Sequence, residues 1–156
     1  MKIKLTVFLS LLTFSIFAQH QKFVYIEGGG SGVLLNANYD MRFKKDTRSG
    51  LGFKAGIGNS FYLEDGSATT LPLGINYLIG KNKSALLLGA NTTFAFFGKE
   101  TSKFNTSGYI PSLEIGYRYT PLKKGFSFQA TYNPLFNTVD GFKAVWLGIG
   151  LGYSWK

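Results

Sequence analysis

Six charged residues are expected on the inward side of strands: Asp40, Arg42, Lys54, Glu114 and Arg118 on the polar face of alternating segments, and Glu27, on a segment too short to show a face, because lipid would not tolerate it. Three acids and three bases on one side of alternating segments suit two kinds of chemistry. Either they line a pore or hold a polar ligand, or they pair with one another and plug a narrow interior, because a buried charge requires a partner. The mixed signs favour the paired network. The single histidine, His20, lies at the start of the segment that follows an apolar run, whereas a hydrolase needs a histidine base on a strand or loop beside its nucleophile. With no cysteine and scattered carboxylates, a transition-metal site lacks ligands. Glu64 and Asp65 are adjacent acids that suit either a divalent ion or a solvated turn, and the turn is favoured. Gly148, Gly150 and Gly152 recur at strand spacing with no helix pattern after them, which is not the spacing of a nucleotide-binding loop. No catalytic, cofactor or metal residue is assigned, and the chain is expected not to be an enzyme.

The elements that position these residues are strands. From Val145 every second residue is large and apolar (Val145, Leu147, Ile149, Leu151, Tyr153, Trp155), while Trp146, Gly148, Gly150, Gly152 and Ser154, mostly small, lie between them. A period of two is a strand with one apolar face. Turn signals divide the chain into eight such segments, about Lys22–Gly29, Gly32–Lys44, Gly50–Phe61, Ala68–Ile79, Ala85–Phe97, Ser107–Thr120, Gly125–Asn133 and Lys143–Trp155. The breakers are the glycine cluster Gly28–Gly30 with Gly32, Asp46–Gly50, Asp65–Gly66, Gly80–Asn82, Gly98–Ser107, Pro121–Gly125 and Pro134–Gly141. An even count lets an antiparallel up-and-down barrel close with both termini at one end. The predicted fold is all-β, an eight-stranded antiparallel transmembrane barrel.

Alternation alone fits a soluble lipocalin-like barrel as well, with its apolar face inward. Composition separates the two. The polar face here is mostly Gly, Ser, Asn and Thr, as suits the lumen of an eight-stranded barrel, which side chains just fill. The lysines gather in the turns instead: Lys44, Lys45, Arg48, Lys81, Lys83, Lys123 and Lys124 all fall after the second, fourth and sixth strands. If the N-terminus is periplasmic these short turns are periplasmic too, and the longer Gly98–Ser107 and Pro134–Phe142 connections are extracellular, the arrangement of outer-membrane barrels. There the basic residues either touch anionic head groups or are simply solvated. Phe43, Tyr77, Tyr117, Tyr119, Tyr153 and Trp155 fall at the same end, where an aromatic girdle belongs. The short glycine-rich first loop fits this plan least. Folding the second hairpin about Thr47 places Asp40 opposite Lys54, which predicts a cross-strand ion pair inside the barrel.

Export follows from the N-terminus. Lys2 and Lys4 precede the apolar run Leu5–Phe17, and Ala18 offers a small residue for cleavage, so residues 1–18 read as a secretory signal peptide. The run is too short for a transmembrane helix, which needs about 20 residues. Residues 19–156 form one domain, 45% hydrophobic and 17% aromatic over the whole chain, with 20 glycines. Its basic balance does not imply nucleic acid, because the protein is exported.

Four segments carry a resemblance: NYDMR (Asn38–Arg42), GINYLIG (Gly74–Gly80), GYRY (Gly116–Tyr119) and GLGYSW (Gly150–Trp155). They resemble small outer-membrane barrel proteins of Bacteroidetes-type bacteria, built like the OmpX and OmpA barrels. The likeness spans nearly all of residues 19–156, except that Lys156 follows the aromatic on which such barrels commonly end. It implies location in the outer membrane of a Gram-negative cell, contact with outer-membrane lipids and no cofactor. The expected role is structural or interactive, with the surface loops open to a ligand or protein partner. A small-ligand binding or transport barrel, membrane or lipocalin-like, is the alternative, and a lipid-modifying enzyme without histidine stands behind it.

Overall fold

A computed structural model describes residues 20–62, 66–97, 108–138 and 141–156. The expected signal peptide, Glu64 with Asp65, and the Gly98–Ser107 run lie outside these residues. Ten strands follow one another: β1 (Lys22–Gly29), β2 (Leu35–Arg42), β3 (Gly50–Tyr62), β4 (Gly66–Ile79), β5 (Ser84–Phe97), β6 (Gly108–Tyr119), β7 (Gly125–Tyr132), β8 (Leu135–Thr138), β9 (Gly141–Lys143) and β10 (Leu147–Trp155). Eight of them, β1 to β7 and β10, each pair antiparallel with both neighbours, and β1 pairs with β10 to close an eight-stranded barrel. Lys22 lies opposite Trp155, so β1 starts and β10 ends at the rim that also carries the turns 43–49, 80–83 and 120–124. We call this rim the turn end and the other the loop end.

Alternation sets the two faces. Along β10 the apolar Leu147, Ile149 and Leu151 are about two-thirds exposed (64%, 66% and 64%), while Gly148, Gly150 and Ser154 are buried. The other barrel strands repeat this: Val24 and Ile26, Leu73 and Ile75, Leu86 and Leu88, and Leu113 and Ile115 face outward. Met41, at an outward register position, is the exception and is buried beside the Tyr39 hydroxyl, 3.5 Å from its sulfur. The interior has three layers. Leu78 and Leu87, paired across β4 and β5, are buried toward the turn end. Charged and amide side chains occupy the middle.

The third layer comes from the glycine-rich first connection. The sequence marks it as a short loop that fits the barrel plan least, and Gly30–Gly32 forms a single buried 3-10 turn that lies inside the loop end against β1, β3, β4, β5, β6 and β10. The reversal needs a positive φ at Gly29 (72°) and Gly30 (67°), a region side chains disfavour. Val33 also adopts a positive φ, 83°, rare for a β-branched residue. Barrel side chains hold the turn in place. Thr70 and Thr93 donate to the Gly32 and Ser31 carbonyls, and the Trp146 indole N–H donates to Gly30 O at 2.9 Å.

The eighth segment is expected to begin at Lys143, yet β10 begins at Leu147. Trp146 keeps the inward position of the same alternation, with its carbonyl accepting from Asn133 N at 2.7 Å, and so reaches the glycine turn. The stretch read as a break, Pro134–Gly141, contains β8 and leads into β9, a short hairpin joined to β6 where Ser112 pairs with Leu135. Phe136 and Phe142 stack across it at 5.0 Å. Likewise β2 starts at Leu35 rather than Gly32, since Gly32 belongs to the inward turn.

Candidate functional site

The six charged residues named from the sequence come together in the middle layer of the lumen. Glu27 is carried by β1, Asp40 and Arg42 by β2, Lys54 by β3, and Glu114 and Arg118 by β6. None is more than 2% exposed. Four of the six have a glycine across the ladder, and at Arg42 and Glu114 that glycine leaves the space the side chain fills. Glu27 lies opposite Gly150, Arg42 opposite Gly52, Lys54 opposite Gly74 and Glu114 opposite Gly89. A side chain at Gly52 would collide with the Arg42 guanidinium, and one at Gly89 would press on the Glu114 carboxylate.

Two clusters result. Asp40 is the hub of the first. It accepts from the guanidinium of Arg42, from Arg118 Nη2 at 3.0 Å and from Asn76 Nδ2 at 2.6 Å. Arg42 also donates to the Asn76 side-chain carbonyl and to Gly50 O at 2.9 Å. Arg118 donates through Nε to Gln129 Oε1 at 3.0 Å, and its guanidinium carbon sits 5.0 Å above the Phe23 ring, a cation–π contact. Gln129 in turn donates to Glu27 Oε1 at 3.0 Å, so the amide links Glu27 to the arginine. Asn38 donates to the other Glu27 oxygen at 3.4 Å. In the second cluster Lys54 Nζ lies 3.0 Å from both oxygens of Glu114, which also accepts from Asn91 at 3.3 Å.

One expectation is half met. Asp40 and Lys54 are opposite each other across β2 and β3, in the register predicted by folding about Thr47. They form no ion pair, however. Lys54 extends across the lumen to Glu114 on β6, and Asp40 is taken by two arginines. Ladder neighbours fix which residues share a level, but a flexible four-carbon stem reaches the opposite wall of a narrow barrel just as well.

Sequence reasoning passed over the neutral members. Gln129, Asn38, Asn76 and Asn91 complete the carboxylate and guanidinium hydrogen bonds, and Phe23 with Tyr25, stacked at 4.4 Å, packs beneath them. The available signal was the same one that found the charges: a large polar residue facing inward with a glycine across the ladder, as Asn91 has in Gly74. The Tyr25, Ser31 and Ser112 hydroxyls are buried without a protein partner and are positions at which bound water is expected.

The remaining candidates lie elsewhere. His20 Nε2 is 3.1 Å from the Phe43 carbonyl, at the turn end and outside the charged clusters. Gly148 and Gly150 face the lumen, where they make room for Thr131 and Gln129. The seven basic turn residues all project from the turn end. There Arg48 donates to Thr120 O at 3.4 Å, from one turn to another. Among the described residues no group of three or more His, Asp or Glu side chains is placed to hold a metal ion. The middle layer as built can neutralise and immobilise its own charges: every charged group in it donates to or accepts from another lumen side chain. In comparison with known proteins, the chain matches no family model, no curated protein and no solved structure.

Proposed function

We propose that the chain is an exported outer-membrane β-barrel whose lumen is closed by its own side chains, with a structural or interaction role and no catalytic activity. The observation that carries this reading is the inversion of polarity. Large apolar residues are exposed on all eight barrel strands, while an arginine pair, a lysine and three carboxylates are buried inside. Soluble monomers rarely expose a contiguous apolar area above a few hundred Å². A continuous belt with a polar interior is the pattern of a barrel that meets lipid outside. The Met1–Ala18 signal and the resemblance of Asn38–Arg42, Gly74–Gly80, Gly116–Tyr119 and Gly150–Trp155 to small OmpX- and OmpA-like barrels support the same conclusion. On this reading the turn end is periplasmic, and the loop end, with the β8–β9 hairpin, faces outward as the contact surface.

The Gly30–Gly32 turn and the charged clusters together block the lumen at two levels, so the barrel is a plug rather than a pore. Two measurements test this. The mature protein, beginning at Gln19, should stay with the outer membrane through a high-salt wash and migrate anomalously on gels until boiled. In planar bilayers the purified protein should give no stable conductance. Recovery from the soluble periplasm, or steady channels of reproducible size, contradicts the reading.

A further inference from the structure

We infer that the turn end is a docking collar for anionic phospholipid head groups, and that it selects them over zwitterionic ones in the leaflet it touches. The inference rests on the membrane reading above and adds which lipid the barrel holds and where.

The charges of the described residues sort by position. The six lumen charges cancel. The loop end carries one charged residue among those described, Lys143. The turn end carries the seven turn cations together with Lys22 and Lys156, against a single carboxylate, Asp46, which Lys156 already engages at 3.1 Å. The described part of the protein therefore gathers its positive excess on one rim. Lys44, Lys45, Lys81, Lys83, Lys123 and Lys124 are exposed, and none has a carboxylate partner among the described residues. A rim built only for solubility needs no such bias, since mixed signs serve equally well.

The collar also stands at a particular height. Immediately inboard of it, exposed rings and alkyl chains begin: Phe43 precedes Lys44, Phe126 follows Lys124 by two residues, and Ile79 precedes Lys81 by two. Tyr77, Tyr117 and Tyr153 complete this belt. Aromatic side chains settle at the head-group level, and lysine stems lie along apolar surface while the ammonium reaches the polar layer. The ammonium groups are thus held at the depth of the phosphates. A headgroup that adds net negative charge there is favoured over one that carries its own cation.

The two tryptophans make this testable, because Trp155 lies at the turn end and Trp146 at the loop end. A Trp146→Phe protein is reconstituted into phosphatidylcholine bilayers that contain brominated phosphatidylglycerol or, separately, brominated phosphatidylcholine, and quenching of Trp155 is read. Insertion is scored first, by heat-modifiability in phosphatidylcholine alone. Trp155 should report a preference for phosphatidylglycerol of about fivefold or more, the factor one cation near an anionic surface supplies. The preference should fall with added salt. It should fall by most of its size in a protein that also carries Lys44→Gln, Lys45→Gln, Lys81→Gln, Lys83→Gln, Lys123→Gln and Lys124→Gln, in which Arg48 and Lys22 are the rim cations left without a carboxylate among the described residues. The complementary Trp155→Phe protein, with Trp146 reporting, should show no preference. Equal quenching of Trp155 by the two lipids overturns the collar while leaving the inserted barrel intact. So does a preference that the six substitutions leave undiminished or that appears equally at Trp146. Tight binding of soluble polyphosphate without any lipid preference assigns the rim to an anionic polymer and also overturns it. A protein that inserts into neither lipid overturns both the collar and the membrane reading.

Discussion

Asp40→Ala should be the most damaging single substitution in the lumen, lowering resistance to unfolding by about 3–5 kcal/mol, the usual cost of leaving a buried charge without its partner. Two guanidinium groups depend on this carboxylate. Arg42 and Arg118 both bond to it, each no more than 2% exposed, and among the described residues no second acid lies within ion-pair distance of either. Asn76 loses an acceptor as well. Unfolding by guanidinium chloride in detergent, followed by tryptophan fluorescence, measures the loss. Asp40→Asn, which keeps an acceptor but not the charge, should fall between Asp40→Ala and the unsubstituted protein. A cost of less than about 1 kcal/mol for Asp40→Ala, the scale of a surface change, contradicts the hub.

The second large effect concerns Lys54 and Glu114. Lys54→Ala and Glu114→Ala should each cost about 3–5 kcal/mol, because each strands the other's charge in a site no more than 1% exposed. Replacing both by apolar side chains of similar size, Lys54→Met with Glu114→Leu, should recover most of the loss, since a buried pair is often exchanged for apolar residues without penalty. The coupling between Lys54 and Glu114 should exceed that between Lys54 and Asp40. The ladder register alone expects the reverse order. A double-mutant cycle with the larger coupling on Asp40 and Lys54 therefore contradicts the cross-lumen pair.

The contrast between those two pairs marks how far the sequence could be read. Period-two alternation located the barrel strands and turned Asp40, Arg42, Lys54, Glu114 and Arg118 inward, because one apolar face per strand leaves a polar residue only one direction. Glu27, on a strand too short to show a face, is placed inward only because lipid does not tolerate a charge. Turn position then gave the β2–β3 register, Asp40 opposite Lys54. What no local pattern encodes is the partner across the lumen. Glu114 comes within 3.0 Å of Lys54 only once β1 meets β10 and the sheet closes. The Gly30–Gly32 turn escaped for a different reason. A glycine cluster says that the chain reverses but not toward which side. The inward direction is set by Thr70, Thr93 and Trp146, which lie far along the chain and acquire meaning only as hydrogen-bond donors around a common site. The β8–β9 hairpin was hidden because Pro134 and Gly141 look like a plain break, and its strands are four and three residues long, too short to show a period.

The most direct test of the central claim uses the absence of native cysteine. Ile149→Cys and Leu151→Cys place thiols on the outward face of β10, at positions 66% and 64% exposed in the isolated protein, and Lys124→Cys places one in a turn. Each variant is treated with a charged, membrane-impermeant maleimide in intact bilayers and again after unfolding in detergent. With lipid covering the apolar belt, Lys124→Cys labels in bilayers, whereas Ile149→Cys and Leu151→Cys label only after unfolding. Rapid labelling of Ile149→Cys or Leu151→Cys in the folded protein within bilayers would mean that water meets this face and would contradict the membrane barrel.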